Sequence, residues 1–373
     1  MSSRLARAAA ELLVGTIAVV LLVWAVAADQ QWFDRHFLPA FFVSRQSYVF
    51  YQSVGRAGAA VLGIVLLVAV RPLVGRAIGR QPLLVVNTMV AVVLSFGISE
   101  FVLSRLHAHA ANVEPAGQEP RRQIDARLGW TFVPSRVARH VEQGRVVEYA
   151  FDSAGYRVRQ LAEPVDPDRP SAVFIGESMV VGEGLTWEES IPAQVGAMLG
   201  VQSANLAVSA YASDQAYLRL QSELPRFRHP VAVVALFTPA LFDRNMDDDR
   251  PHVGPGLEWI PPVERWRLLE IMRLLVRYRK VETVERGIAI TRDVLKATTE
   301  LARSRGATPL IVIPQFGPET PGERTLRQRL FDGSGLPDLR VELDRQWRIP
   351  GDGHPDARAA HMIAAAIVTR LRE

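Results

Sequence analysis

The chain has no cysteine among its 373 residues, which excludes a disulfide framework, thiolate metal sites and cysteine nucleophiles. Lysine is almost as scarce, with only Lys280 and Lys296 among 43 basic residues. No local motif demands arginine elsewhere, so this bias reads as the codon composition of a GC-rich genome. A basic surplus is missing from most of the length as well. The formal charge is +4, but residues 1–110 hold 9 basic and 4 acidic side chains, whereas residues 111–373 hold 34 and 35. A nucleic-acid binder needs its surplus clustered on a folded face or tail. Nucleic acid is therefore not an expected partner.

What the first third has instead is long uncharged runs. Residues 12–28 (LLVGTIAVVLLVWAVAA) and 81–99 each approach the roughly 20 residues that cross a hydrocarbon core. Residues 57–70 form a shorter run bracketed by Arg56 and Arg71. If both arginines snorkel, a helix over 51–74 also reaches across. The expected spans are thus about 10–28, 51–74 and 81–101, making 1–107 a membrane domain. No small-x-small cleavage site follows the first run, which argues against a signal peptide. Arg71, Arg76 and Arg80 fill the connection before the third span without an acid, and Arg4 and Arg7 precede the first. Positive charge stays on the cytoplasmic side, so everything after His107 is expected outside the cytoplasm.

Residues 108–123 are polar and read as a linker. A β-rich lead-in occupies 124–170, with LGWTFVP, VVEYAFDS and SAGYRVR. From 171 to 373, strand-like runs at 172–175, 203–208, 231–237, 309–313 and 339–343 alternate with helix-length stretches at 186–199, 214–224, 263–278, 284–305 and 355–371. This alternation predicts an α/β fold, a mostly parallel five-stranded sheet in a three-layer α/β/α arrangement. Ligands gather at the carboxyl ends of such strands, so the loops after them matter most.

The loop after the first of these strands reads GESMVVGEG. It lacks the lysine of a phosphate-binding loop, and Val180 stands where the nucleophile elbow of α/β-hydrolases has glycine. What remains is Ser178 at the tip of a tight turn, beside N–H groups able to stabilise an oxyanion. The last loop reads IPGDGHP. There Asp352 stands two residues before His354 and can orient its imidazole, and Pro355 fits the first position of a helix. Ser178, His354 and Asp352 together have the chemistry of a nucleophile, its base and the base's orienting acid.

With those blocks in view, the sequence resembles the SGNH (GDSL-type) hydrolase and acyltransferase superfamily, specifically its membrane-tethered, extracytoplasmic bacterial members, over about residues 124–372. FIGESMVVGEGL is similar to the Gly-Asp-Ser block, with Glu177 in place of the aspartate, and IPGDGHPDARAAHMIAAAI is similar to the closing Asp-x-His block and its final helix. The resemblance implies a Ser178-His354-Asp352 triad. It implies oxyanion or substrate roles for Ala207, in NLAVSAYASDQ where a glycine is usual, and for Asn245, in FDRN beyond the usual Gly-x-Asn-Asp position. Arg157 of the lead-in is read as structural. The implied activity is that of a serine esterase on acyl, above all O-acetyl, esters of an envelope or secreted glycan. The alternatives are an O-acyltransferase supplied by a separate donor-delivering membrane partner, and a catalytically degenerate glycan-binding or scaffold protein. No cofactor or metal is implied, and the expected location is the bacterial inner membrane.

Two further stretches have simpler readings. Asp247, Asp248 and Asp249 with His252 read as a solvated acidic loop. The arginine-rich 263–280, with Trp266 and several leucines, reads as a surface helix, a membrane-surface helix or a lid.

Overall fold

The computed structural model describes residues 3–32, 37–39, 45–80, 82–112, 120–142, 145–263, 266–267 and 278–373. The chain forms two compact units, Met1–His109 with Arg265–Val284, and Ala110–Glu264 with Glu285–Glu373. The arginine-rich segment thus divides from the second unit and joins the first. Most of its expected helix lies outside the described residues.

In the first unit, three helices are long and apolar enough to cross a membrane: Arg7–Ala27, Val49–Ile78 and Met89–Leu106. The second of them passes through a π-helical turn at Leu66–Val70. Arg56 bonds to the end of the first helix. Its Nε donates to Ala25 O at 2.8 Å, and Gln52 Nε2 donates to Ala28 O at 3.3 Å, which satisfies carbonyls otherwise orphaned at the end of the first helix. Gly63 permits this approach, because a Cβ there would lie 2.8 Å from Leu22 Cγ and 3.0 Å from Ala18 O. The arginine-rich segment is fastened to this unit at both ends. Arg267 N donates to Glu100 Oε1 at 2.7 Å, and Tyr278–Lys280 pairs antiparallel with Phe37–Pro39.

The second unit is built on one eight-stranded sheet. Its strands are β1 (Arg136–Glu142), β2 (Arg145–Phe151), β3 (Arg157–Val158), β4 (Ser171–Ile175), β5 (Gln202–Asn205), β6 (Pro230–Leu236), β7 (Thr308–Phe316) and β8 (Asp338–Leu343). Their order is β8-β7-β6-β4-β5-β3-β2-β1. The five strands expected from the alternation pair in parallel. The lead-in divides: Gly129–Phe132 pairs antiparallel with Arg122–Asp125 in a separate two-stranded sheet, while β1, β2 and β3 continue the main sheet in antiparallel register through Arg157 opposite Asn205. All five residues of β4 are buried, as a central strand covered on both faces requires.

The helices of this unit are α1 (Ser178–Val181), α2 (Ile191–Leu199), α3 (Ser213–Glu223), α4 (Pro239–Arg244), α5 (Val281–Ser304), α6 (Pro321–Phe331) and α7 (Ala357–Arg372). Helix α2 starts later than expected because Ser190 caps it, accepting from Ala193 N, with proline in the first turn. Helices α2 and α7 pack on each other, and α3 packs on α4. Pro355 is not the first residue of α7. Asp356 is the N-cap, accepting from the N–H groups of Arg358 and Ala359, so the proline stands one position before the cap. Between β4's neighbours the chain reverses direction across the sheet, from β5 on one side to β6 on the other. That crevice at the carboxyl end of β4 is where a doubly wound sheet offers a site.

A buried acid supports this end of the sheet. Asp214, in the first turn of α3, accepts from Gln215 N at 2.7 Å and from Val253 N at 3.0 Å. Burial pushes its pKa up to about 6, and the two N–H groups only partly offset this. The ordinary aspartate value is about 3.9, so the protonated acid favours folding below about pH 4 and that contribution disappears as pH rises through about 6, a swing of about 3 kcal/mol. Asp214→Asn cannot titrate. The melting temperature of the wild type minus that of this variant is therefore expected to rise as pH falls from 7 to 4; a difference independent of pH would contradict the assignment.

Candidate active site

Ser178 is placed by a backbone that only glycine tolerates on either side. Gly176 follows β4 with φ +149°, where an added Cβ would lie 2.9 Å from Val180 Cγ2. Gly182 ends the four-residue helix α1 with φ +81°. A Cβ there would meet Arg157 Nη1 at 2.7 Å and Ser190 Cβ at 2.9 Å. Between these two glycines the chain turns sharply, with Ser178 first in the helix and 8% exposed.

His354 arrives from the loop after β8. Ile349 N donates to His354 O at 2.8 Å, and the N–H groups of Asp352 and Gly353 donate to Ile349 O at 3.2 Å. Gly351 and Gly353 have φ +78° and +87°, the left-handed conformations that allow so tight a loop. Arg348 braces it from outside, donating to Gly353 O with its guanidinium 3.9 Å from the centre of the Phe316 ring.

These loops bring three side chains into one hydrogen-bonded line. Ser178 Oγ is 2.8 Å from His354 Nε2, and His354 Nδ1 is 2.6 Å from Asp352 Oδ2. With the proton on Nδ1, the imidazole donates to Asp352 and accepts from the serine hydroxyl.

The two residues expected at the oxyanion are not part of this arrangement. Ala207 N already donates to Asn205 Oδ1 at 3.2 Å. Asn245 is 5% exposed, accepting from Asp214 N at 3.2 Å and donating to Thr291 Oγ1 at 2.8 Å. It ties α3 to α5 instead of reaching towards Ser178. The FDRN stretch contributes through its arginine: Arg244 pairs with the buried Glu177 and also donates to Tyr211 O at 3.2 Å. Thr238 Oγ1 donates to the other oxygen of Glu177 at 3.4 Å. A longer acid beside the serine is thus matched by a cation from the last residue of α4.

Three residues escape a reading of the sequence. Glu183 puts Oε2 3.6 Å from His354 Nε2 and accepts from Ser209 Oγ through Oε1. Ala210, the next residue, has φ +63° without being glycine. Such strain clusters at functional turns. Arg157 was legible only as structural, and the structure gives it a specific task. It is 1% exposed, and its guanidinium donates to Val181 O at 2.5 Å and to Gly182 O and Leu185 O at 2.7 Å each. Burial pushes its pKa down to about 10, with Tyr149 and Glu183 partly offsetting this. Tyr149 lies under the guanidinium and accepts from Gly184 N at 2.8 Å. The whole turn from 181 to 185 is therefore clamped from β2 and β3.

Elsewhere, Asp247 pairs with Arg250 at 3.2 Å, and His361, which has no partner evident in the sequence, meets Gln194 Oε1 at 2.7 Å. Among the described residues no group of three or more His, Asp or Glu side chains is placed to hold a metal ion.

No protein-family model matches the sequence, and no curated protein matches it. Solved structures do resemble it in part. GDSL proteins and carbohydrate esterases recur among them. A G-D-S-L family protein from Desulfitobacterium hafniense DCB-2 is 14% identical over 54% of this chain and 98% of its own, with a TM-score of 0.36. An acetyl xylan esterase from the rumen bacterium Butyrivibrio proteoclasticus is 10% identical over 56% of this chain and 65% of its own, with a TM-score of 0.36. A GDSL-like lipase from Bacteroides thetaiotaomicron VPI-5482 is 13% identical over 54% of this chain and 87% of its own, with a TM-score of 0.28.

Proposed function

We propose that the chain is a membrane-anchored SGNH-type serine esterase that removes acyl groups, chiefly O-acetyl, from an envelope or secreted glycan. The observation that carries this reading is the unbroken hydrogen-bonded line from Ser178 through His354 to Asp352. In it Ser178 Oγ attacks the acyl carbonyl while His354 Nε2 takes its proton, and Asp352 holds the imidazole in the productive tautomer and stabilises the imidazolium. His354 then returns the proton to the departing sugar oxygen. Water repeats the sequence on the acyl-enzyme.

The oxyanion needs donors that are not already engaged. The backbone N–H groups of Ser178 and Ala210 are among those with no hydrogen-bond partner among the described residues. The first belongs to the nucleophile, and the second to the turn whose Ser209 reaches Glu183. In this reading they take the place of Ala207 and Asn245. The three apolar helices hold the enzyme at the membrane, and the arginine distribution favours an outward-facing catalytic unit.

A fluorophosphonate probe on the purified full-length protein in detergent is expected to label Ser178, located by mass spectrometry of the peptide that contains it. No labelling, or labelling at another residue, would sink the serine-esterase reading.

A further inference from the structure

Glu183 is a carboxylate beside the Ser178–His354 pair for which the triad has no use. Its backbone N–H donates to Ser178 O at 3.1 Å, its Oε1 accepts from Ser209, and its Oε2 stands 3.6 Å from His354 Nε2 with the side chain 25% exposed. The turn that carries it is held by Arg157 and Tyr149, so this carboxylate is fixed in place before any ligand arrives. Among the described residues no donor reaches Oε2.

With the Nδ1 proton committed to Asp352, His354 Nε2 is an acceptor, and Glu183 Oε2 is a second acceptor 3.6 Å away. Two acceptors fixed at that spacing describe the ligand they suit: two hydroxyls on adjacent carbons, each donating to one of them. A simple alcohol has one hydroxyl proton and satisfies only one of the two acceptors, whereas water can bridge both but offers no carbon framework for the site to select. We propose that Glu183 determines which hydroxyl enters and leaves the site, and that the group it selects is the vicinal diol of a sugar ring. This rests on the esterase reading and narrows its substrate class to esters standing beside a free hydroxyl.

The step balances without a co-reactant. On the acyl-enzyme one hydroxyl of the diol donates to His354 Nε2 and attacks the acyl carbon. A carbon–oxygen bond forms as the proton passes to Nε2. The tetrahedral intermediate then collapses, the bond from acyl carbon to Ser178 Oγ breaks, and Oγ takes the proton back from Nε2. The neighbouring hydroxyl keeps its proton and its hydrogen bond to Glu183 Oε2 throughout. Run in reverse, the same contacts hold the sugar while its ester is cleaved.

The test uses the full-length protein in detergent, acylated by p-nitrophenyl acetate in the presence of equal concentrations of cis-cyclohexane-1,2-diol and cyclohexanol. The two acetate esters are then quantified. Their ratio is set after the acyl-enzyme forms, so it does not depend on how fast acylation occurs. A hydrogen bond to a charged group corresponds to roughly 10- to 100-fold, and the wild type is expected to favour the diol by about that factor. In Glu183→Gln, the Ser209 hydroxyl holds the amide carbonyl and turns the NH2 group towards Nε2, so the second hydroxyl loses its charged acceptor and can only accept a neutral bond there; the preference is expected to fall by roughly tenfold. Ser209→Ala, which frees the carboxylate to rotate, should weaken the preference part of the way. Equal ester yields from the wild type, or a preference undiminished in a Glu183→Gln protein that still labels at Ser178, would overturn the proposal. Failure of the underlying reading is distinct: the wild type would then release no p-nitrophenol above background.

Discussion

His354→Ala is expected to lower kcat for p-nitrophenyl acetate by about a millionfold, and Asp352→Asn by about 10,000-fold, the scale of such losses in serine triads. The ordering follows from the role the proposed mechanism gives each group. Without His354, nothing takes the Ser178 proton during attack, and an unassisted hydroxyl is a poor nucleophile. Asp352→Asn leaves the imidazole in place but presents a group that can donate to Nδ1, favouring the tautomer with its proton on Nε2. That proton then points at Ser178 Oγ, 2.8 Å away, and the base can no longer accept. Each variant should retain the fold, because both side chains are partly exposed and sit in a loop whose shape is set by its backbone bonds. Steady-state release of p-nitrophenol measures the effect. A loss smaller for His354→Ala than for Asp352→Asn would contradict the assigned roles.

Arg157→Met is expected to cost about 2 to 6 kcal/mol of stability. The guanidinium supplies three charge-assisted hydrogen bonds at about 1.5 to 3 kcal/mol each. Against this, returning a buried cation to water recovers about 3 kcal/mol, judged from a pKa pushed down to about 10 from the usual 12.5. Methionine fills most of the volume and donates nothing, so the carbonyls of Val181, Gly182 and Leu185 lose their partner away from water. Activity should fall as well, by about 100-fold where the turn shifts by about an ångström, since that turn follows directly from Ser178. Arg157→Lys should recover little, because an ammonium is a point charge and cannot fork across three carbonyls. Thermal melting and the fluorophosphonate labelling rate read the two effects. A Met variant that melts and labels like the wild type would show that the clamp is dispensable.

The parallel strands were legible because a strand buried on both faces must be a nearly continuous apolar run, as SAVFI and PVAVVAL are. Ser178 is legible because it lies in a glycine-flanked turn directly after such a run, and Asp352 and His354 because they stand in a glycine-flanked loop just before the last helix. Their meeting across the sheet was an inference from topology, and the hydrogen bonds follow it. What stayed hidden depends on pairings distant in sequence. Nothing in DSAGYRVR says that Arg157 will lie opposite Asn205 and reach Leu185, and nothing in VVGEG separates Glu183 from an ordinary turn acid. Ala207 and Asn245 were placed by analogy of position. Their hydrogen bonds to Asn205, Asp214 and Thr291 are properties of three-dimensional packing that no spacing rule supplies. Ala210 shows the opposite problem: its backbone conformation normally announces itself through glycine, and alanine conceals it.

The chain passes between its two units three times, near residues 109, 264 and 284. A catalytic module joined by one linker can be shuffled onto another anchor by a single recombination event, and can be released by a single protease cut. Here neither would produce a clean product. A cut at the linker leaves residues 265–284 behind in the wrong half, and a swapped anchor arrives without a partner for Arg267 or for the strand at Tyr278–Lys280. The long apolar helices and the unit that carries Ser178 are therefore expected to be inherited together, and to change together.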